Sequence, residues 1–344
     1  GEIVAILTEK LPDFTLYKFR HTAFTVGKGN SMRSQLTYPT LNEAQRLKRL
    51  APPTGKVRMV LDTDTFNEVD DQFAVTHALL SPASMNVEAI YAAPYYKRSI
   101  AGPGAGMELS YQEILHLLHR LNIAAEGLVH RGSPAFMADA TTPVESAAAH
   151  DLIERAMTAS GDEPLYVVAI GAITNIASAI LLEPAIIERI VVVWLGGHAL
   201  YWPTAREFNL SGDPHAARIL FDCGVPLLQL PCWPVVSHLL TNIPELERYV
   251  EPCGAIGAFL TERVKSYHDE HRGWGKEIWD LAATAYLVNP DWIETTLVHS
   301  PILTSEQTWS SDQRRHLIRT ATKIKRDAIF RDFFDKLAAF TGNK

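Results

Sequence analysis

The sequence predicts an α/β fold in which a mostly parallel central sheet is flanked by helices in a single domain. Short apolar runs rich in Val, Ile and Leu alternate with helical patterns along most of the 344 residues. This alternation is typical of βαβ units whose parallel sheet is covered on both faces. Apolar residues make up 47% of the chain and charged residues 21%, which is enough apolar material for a full core.

The chain is predicted to begin with an N-terminal extension and a short helix over residues 1–55, followed by the α/β domain over residues 56–344. Residues 1–31 have a brief apolar start but lack the long apolar core that a signal peptide needs. Residues 41–50 carry apolar side chains at helical spacing, and Pro52 and Pro53 then end the helix.

The remaining elements follow from apolar runs bounded by glycine, proline or a capping residue. Strands are predicted over residues 57–61, 87–95, 165–170, 189–195, 225–230 and 296–303, and helices over 72–80, 107–121, 143–159, 174–182, 214–221, 244–265, 280–287 and 327–340. Thr174 is expected to cap its helix. The glycine-rich residues 97–106 are interpreted as a flexible loop, the basic run over 314–326 as a solvated face, and His268 and His271 as the end of a helix.

Charge and cysteine content narrow the class of protein. The net charge of −7 and the pI of about 6.0 argue against a nucleic-acid binder. The sequence has no run of about 18 apolar residues, so no membrane span is predicted. Three cysteines without CxxC spacing favour a reducing compartment, and we expect a cytoplasmic protein.

An acidic turn follows the first predicted strand of the domain. Five carboxylates fall within ten positions at the point where this strand gives way to a helix: Asp62, Asp64, Glu68, Asp70 and Asp71. In open α/β sheets, ligands bind at the carboxyl ends of the strands. Favourable contact with the helix dipole would explain one or two of these acids, but not all five. The crowding therefore predicts a site for a divalent cation.

Two later segments offer partners for this turn. Glu207 and Asn209 follow a strand that ends in glycine, and a carboxylate and an amide at this spacing can hydrogen-bond sugar hydroxyls. Asp213, just before a helix, is interpreted as a cap. Asp280 begins a late helix and is expected to complete the metal site.

These segments resemble the inosine-uridine-preferring nucleoside hydrolase family in their order and spacing. The resemblance covers roughly residues 56–300 and is carried by five landmarks together. They are DTDTFNEVDD at residues 62–71, GAITN at 171–175, WLGG at 194–197, EFN and DPHAA at 207–217, and WDLAA at 279–283.

The resemblance implies Ca²⁺-dependent hydrolysis of the N-glycosidic bond of a ribonucleoside or related N-riboside, in purine or pyrimidine salvage. It implies that Ca²⁺ is held by Asp64, Asp71, Asp280 and the carbonyl of Ile170. Asp64 would be the catalytic base on a metal-activated water. Ribose hydroxyls would bind Asp70, Glu207 and Asn209. A homodimer or homotetramer is expected.

The sequence departs from the family pattern on the side of the leaving group. Trp279 stands where the family has a catalytic histidine, and tryptophan can stack on a base but cannot act as an acid. His198 is a candidate replacement for the missing acid. Residues 66–69 contain two extra positions, which place Asn67 beside the metal as a further substrate contact. The aglycone stays open: purine, pyrimidine, nicotinamide or another group.

Two other functions were weighed. The first is a non-catalytic nucleoside- or ribose-binding protein on the same scaffold, which would need no acid at the position of Trp279. The second is a phosphatase of the haloacid-dehalogenase type, because Asp62 and Asp64 also fit its DxDx(T/V) motif. That interpretation leaves Asp70, Asp71 and residues 207–209 unexplained.

Overall fold

The computed structural model describes residues 37–158 and 163–342. Most of the predicted extension, residues 1–36, lies outside the described residues. From Thr37 onward the described chain forms one compact unit. Helix α1, Glu43–Leu50, is capped by Asn42 and contacts the strand over Leu317–Ile324. The boundary at residue 55 stays a prediction.

The strands confirm the predicted fold class. In chain order they are β1 Val57–Thr63, β2 Met85–Ala92, β3 Val129–Arg131, β4 Leu165–Ala169, β5 Ile190–Leu195, β6 Leu227–Leu230, β7 Leu240–Thr241, β8 Lys276–Glu277, β9 Ile293–His299, β10 Ile302–Leu303, β11 Trp309–Ser310 and β12 Leu317–Ile324. In the part of the chain that the structure describes, eight of them form one sheet in the order β3-β2-β1-β4-β5-β6-β12-β9. Its pairs are parallel except that β9 runs antiparallel to β12.

Helices cover both faces of this sheet. They are α2 Asp71–Leu79, α3 Pro103–Leu121, α4 Ala147–Thr158, α5 Thr174–Leu182, α6 Phe208–Gly212, α7 Pro214–Asp222, α8 Ile243–Tyr249, α9 Gly254–Lys265, α10 Leu281–Val288 and α11 Arg326–Gly342. One core lies between the sheet and α2, α3, α10 and α11, and the other between the sheet and α4, α5 and α7. Within the described residues, no helix is long and apolar enough to cross a membrane.

The topology places the carboxyl ends of β1 and β4 at the centre of the site. From β1 the chain adds β2 and β3 on one side, and β4, β5 and β6 on the other. The strand order therefore reverses between β1 and β4, and such a switch point opens a crevice in a doubly wound sheet. The acidic turn follows β1, and Ile170 follows β4.

Two local predictions near this edge were wrong. Thr174 is the first residue of α5 rather than its cap, and its hydroxyl donates to Asp213 at 2.8 Å. The glycines at 104 and 106 lie in α3, because Pro103 fits the first helical position. A Cβ on Gly106 would meet the carbonyl oxygen of Tyr95 at 2.1 Å, so this glycine permits a close helix contact.

Three further segments differ from the prediction. The basic run contains β12, whose side chains are partly exposed and therefore lack a continuous apolar pattern. The helix predicted over residues 244–265 is two helices, because Val250 to Cys253 turn between α8 and α9. His268 and His271 follow the end of α9 in a loop, where their rings lie against Trp274.

Candidate metal and substrate site

A cavity of about 280 Å³ opens at the switch point, near the lower end of the range of roughly 300–1,000 Å³ for small-molecule sites. All ten of the predicted site residues line it: Asp64, Asn67, Asp70, Asp71, Ile170, His198, Glu207, Asn209, Trp279 and Asp280. Glu68, one of the carboxylates of the acidic turn, also lines it, and sequence reasoning missed four others, Leu195, Phe208, Cys232 and Trp233.

The acidic turn places its carboxylates at the floor of the cavity. The backbone N–H of Asn67 donates to the carbonyl of Asp64 at 2.7 Å, which closes the turn after β1. Asp70 occupies the N-cap position of α2, but its side chain makes no capping bond to the helix. Asp71 begins α2 and accepts from the hydroxyl of Thr63 at 2.5 Å. Asp70 is therefore presented to the cavity instead of the helix end.

Two carboxylates of the acidic turn and one from the start of α10 lie close enough together to bind one ion. Asp70, Asp71 and Asp280 each offer a ligand atom, and these atoms lie within 4.8 Å of one another. Asp64 lies beside them, and its buried Oδ2 has no hydrogen-bond partner among the described residues. The tightest group of three thus includes Asp70, which the family resemblance assigns to ribose.

Electrostatics show why this arrangement fits a cation. Burial, followed by the charge of Asp70, raises the pKa of Asp71 to about 8. Burial also raises the pKa of Asp70 to about 6, and it raises those of Asp64 and Asp280 well above the usual range. Four buried carboxyl groups repel one another in a medium of low dielectric constant unless protons or a cation intervene. All-oxygen donors of this kind suit hard cations such as Ca²⁺.

Ile170 lines the same cavity as the four carboxyl groups and contributes a backbone carbonyl. Its N–H donates to the carbonyl of Asp62 at 2.8 Å, which continues the pairing of β4 with β1. Its carbonyl oxygen accepts from the amide of Asn209 at 3.1 Å and keeps a second lone pair. A Cβ on the next residue, Gly171, would lie 3.1 Å from Oδ1 of Asp64. A small residue is therefore favoured beside the metal site.

Glu207 and Asn209 are held rigidly on the facing wall. Glu207 caps α6, where its carboxyl oxygens accept from the N–H groups of Asn209, Leu210 and Gly197 at 2.8–3.1 Å. Desolvation raises the pKa of Glu207, although these N–H groups act in the opposite direction. The side-chain nitrogen of Asn209 donates to the carbonyls of Ile170 and Leu195. Both side chains are thus preorganised for a polar ligand.

Asp62 lies behind the site and outside the cavity lining. Its Oδ1 accepts from the amide of Asn175 at 2.7 Å, and burial raises its pKa to about 7. Asn175 in turn accepts from the N–H and hydroxyl of Ser133 at 2.7 and 2.8 Å. This chain of hydrogen bonds joins β1, α5 and the segment after β3, so it supports the acidic turn from below.

The segment with the two extra residues, 66–69, is anchored by cations. The ammonium of Lys276 donates to Glu68 at 2.8 Å, and the hydroxyl of Tyr267 donates to the other oxygen of Glu68 at 3.2 Å. Lys97 donates to the carbonyl of Asn67. Lys276 and Tyr267 were not predicted, and their sequence distance from Glu68 leaves no local signal that could have found them.

Aromatic side chains form the remaining wall. Trp233 and Trp279 line the cavity with ring centroids 6.0 Å apart, edge to face. Trp202 stacks behind Trp233 at 6.4 Å. His198 lies between Trp202 and the cavity and accepts from the N–H of Trp233 at 3.3 Å. The cavity is therefore acidic and polar on one side and aromatic on the other.

Comparisons with known proteins identify the family of this chain. The sequence pattern of the inosine-uridine preferring nucleoside hydrolases matches residues 104–331, a range that begins after the acidic turn. The pyrimidine-specific ribonucleoside hydrolase RihB of Escherichia coli O17:K52:H18 is 32% identical over 157 residues, 42% of this chain and 47% of that protein. The alignment thus spans about half the length of the curated relatives it matches.

Solved structures share the fold over most of the chain. A purine-preferring ribonucleoside hydrolase from Gardnerella vaginalis is 21% identical with a TM-score of 0.65, covering 83% of this chain and 100% of the other. The plant nucleoside hydrolase PpNRh1 is 20% identical with a TM-score of 0.64, covering 82% and 99%. Because the family pattern matches well over half of the sequence, the chain belongs to the inosine-uridine preferring nucleoside hydrolase family.

Proposed function

We propose that this chain hydrolyses the N-glycosidic bond of a ribonucleoside or related N-riboside to ribose and the free base, with Ca²⁺ in the acidic site. The observation that carries the proposal is the convergence of Asp64, Asp70, Asp71 and Asp280 at the switch point, in the same cavity as Glu207 and Asn209. Family membership supports the reaction class.

Asp64, Asp71, Asp280 and the carbonyl oxygen of Ile170 would hold the cation, with Asp70 at its edge. A bound divalent cation lowers the pKa of water towards neutrality and so supplies a nucleophile. Asp64 has a buried oxygen, Oδ2, that has no hydrogen-bond partner among the described residues. This oxygen would accept the proton that the attacking water loses.

The facing residues would bind and orient the sugar. Glu207 and Asn209 are fixed by backbone contacts, so they can accept ribose hydroxyls without first reorganising. Asp70 would bind a hydroxyl from the floor. As the bond to the base breaks, positive charge develops on the ribose ring, and the surrounding carboxylates stabilise it. Asn67, Trp279 and His198 would contact the leaving group.

Calcium, the assembly and the compartment belong to the same proposal. The all-oxygen donor set favours a hard ion, and we propose Ca²⁺ rather than Mg²⁺ because several carboxylates contribute at once. We also propose a homodimer or homotetramer. The three cysteines are free and buried, which supports a reducing compartment such as the cytoplasm.

One observation favours the binding protein as a second candidate. Trp279 occupies the place of the family's acid, and a protein that only binds nucleosides needs no acid there. Against it stands the electrostatic cost of burying four carboxyl groups together, which binding of ribose alone does not require. Family membership favours either candidate over the phosphatase.

Release of reducing sugar from a panel of nucleosides, with Ca²⁺ and with chelator, tests the proposal. We expect calcium-dependent ribose release that Asp64→Asn abolishes while the circular dichroism spectrum is unchanged. Asp335→Asn, an exposed carboxylate on α11, is the matched control and should retain activity. Calcium-dependent binding of ribose without release from any nucleoside would favour the binding protein instead.

A further inference from the structure

The lining of the cavity combines two tryptophans with an excess of acidic groups. Six carboxyl groups line the cavity: Asp64, Glu68, Asp70, Asp71, Glu207 and Asp280. A divalent ion would neutralise two of these charges, and Lys276 is paired with Glu68 behind the lining. The lining therefore holds more acidic groups than a bound divalent ion and Lys276 can neutralise, and this excess favours a cationic ligand.

Trp233 and Trp279 present the surface that a planar cation prefers. Their rings meet edge to face at 6.0 Å, and Trp202 stacks behind Trp233 with an interplanar angle of 22°. Trp233 is 44% exposed, so its indole is available to a ligand in the cavity. Tryptophan faces attract cations more strongly than the other aromatic side chains do.

His198 is held as a structural group on this wall. Its Nδ1 accepts from the N–H of Trp233, and its ring also hydrogen-bonds the backbone of Arg206. Burial lowers the pKa of His198 below its usual value, which disfavours the protonated ring. These contacts link the loop after β5 to the loop after β6. An imidazole that makes both contacts orients Trp233 and is not free to deliver a proton to a leaving base.

We propose that the preferred substrates are N-ribosides whose aglycone is a planar aromatic cation, such as a pyridinium or an N-alkylated purinium ring. This inference rests on the proposed function and specifies its substrate class. When the bond between C1′ and the ring nitrogen breaks, both electrons pass to the nitrogen, and the positively charged ring leaves as a neutral base. Water adds its oxygen to C1′, and its proton is released. The leaving group needs no proton from the protein.

Two matched pairs of ribosides test the proposal and distinguish a purinium from a pyridinium aglycone. 7-Methylguanosine is compared with guanosine, and nicotinamide riboside with its neutral 1,4-dihydro form. Each kcat/KM is divided by the spontaneous hydrolysis rate, because charged ribosides are intrinsically more labile. General acids contribute about 100-fold or more, so we expect the corrected value to be about 100-fold higher for at least one cation than for its neutral partner. Equal corrected values in both pairs would overturn the proposal.

Binding of the aglycone alone gives a readout that is independent of turnover. Calorimetric titration with 1-methylnicotinamide and with nicotinamide, in the presence of Ca²⁺, should show about five-fold tighter binding of the cation. Trp233→Leu should remove this difference. Tyr201→Leu, an aromatic residue that is 75% exposed and outside the cavity lining, should keep it. Equal affinities in the unsubstituted protein would overturn the proposal.

The hydrolysis and binding experiments together separate this inference from the proposed function. Hydrolysis of neutral nucleosides with no preference for cations would overturn the inference and leave the proposed function standing. Failure to hydrolyse any riboside would overturn the proposed function, and the substrate class with it. Tight binding of 1-methylnicotinamide would then support recognition of an aromatic cation without catalysis.

Discussion

The imidazole of His77 lies between the two helices that carry metal-site carboxylates, with its Nδ1 2.8 Å from the hydroxyl of Thr284. His77 belongs to α2, which begins at Asp71, and Thr284 belongs to α10, which follows Asp280. The other ring nitrogen contacts Asp332 of α11 at 2.8 Å. One buried side chain thus joins the last turn of α2 to α10, the two helices whose N-termini carry carboxylates of the candidate metal site.

Replacing His77 with leucine should destabilise the protein and loosen the metal site. The variant would lose the contact of Nδ1 with Thr284, whose hydroxyl still donates to the carbonyl of Leu281 at 3.2 Å, and the contact of Nε2 with Asp332. We expect a combined cost of about 2 kcal/mol in the free energy of unfolding. Calcium affinity should fall about ten-fold, because α2, which begins at Asp71, and α10, which follows Asp280, lose a contact that joins them. Urea unfolding and calcium titration by calorimetry measure the two effects.

The double variant His77→Leu with Thr284→Val is the control for this interpretation. It removes both hydrogen-bonding partners, so it should recover part of the lost stability. A double variant that loses the full sum of the two single effects would contradict a direct interaction between these side chains.

Removing the cation should destabilise the protein, and neutralising one carboxylate should partly reverse the effect. A ligand at 100 times its Kd stabilises a folded state by about 2.7 kcal/mol. In chelator, Asp70→Asn should raise the midpoint of thermal unfolding, because it relieves repulsion among the buried carboxyl groups. With Ca²⁺ the same variant should be stabilised less than the unsubstituted protein.

Differential scanning calorimetry with and without chelator measures these shifts. Asp335→Asn should leave both midpoints unchanged, because this residue is exposed on α11. Thermal unfolding that does not respond to Ca²⁺ in the unsubstituted protein would show that the acidic site does not hold the ion.

His316 should make stability depend on pH between about 6.5 and 4. Burial, followed by the charges of Arg46 and Arg315, lowers the pKa of His316 to about 4. Above pH 6.5 both folded and unfolded states are neutral at this residue. As the pH falls below 6.5 the unfolded state binds the proton first, so stability decreases until the folded state also binds it near pH 4. The full loss is at most about 3 kcal/mol at 1.36 kcal/mol per unit.

Urea unfolding at intervals from pH 7 to pH 4 measures this dependence. His316→Phe removes the titrating group. The free energy of unfolding should then depend less steeply on pH, by the amount that corresponds to the uptake of up to one proton on unfolding. His119→Phe changes an exposed histidine on α3 and should leave the slope as it is. Identical slopes in the two variants would assign the acid sensitivity to other groups.

The sequence predicted those parts of the fold whose helices and strands have a clear apolar pattern of their own. The strand after residue 57 has a continuous apolar run, and the turn that follows collects carboxylates within ten positions. Residues close in sequence were therefore placed correctly around Asp64. Strand β12 was missed because it lies next to the edge strand β9, where half-exposed side chains such as Arg319 interrupt the apolar pattern.

Contacts between distant residues escaped sequence reasoning for a different reason. His77 and Thr284 are 207 residues apart, and Glu68 and Lys276 are 208 apart. Nothing in the sequence around either member of a pair indicates its partner, since the sheet topology alone brings them together. The family resemblance pointed to the residues that we propose for the metal and the ribose, and these line one cavity, but it had no counterpart for the side chains that anchor residues 66–69.

Lys276 should be essential to the shape of this added segment. Its ammonium group is buried, with the residue only 4% exposed, and it pairs with Glu68 while Asp70 lies close by. Burial disfavours the charge of Lys276, but Asp70 and Glu68 outweigh it and raise the pKa of Lys276. Lys276→Met would leave two carboxylates without their cation, so we expect a loss of about 2 kcal/mol and a raised KM.

Glu68→Gln is the matched test, because it removes charge from the other partner and keeps the amide within reach of Tyr267. It should cost less stability than Lys276→Met. Asp70 then remains beside Lys276, and the ammonium group still neutralises its charge. The double variant should be more stable than Lys276→Met alone. If the two single variants cost the same and their effects simply add, the ion pair does not hold the residues 66–69 in place, and their conformation is set by Lys97 and the turn itself.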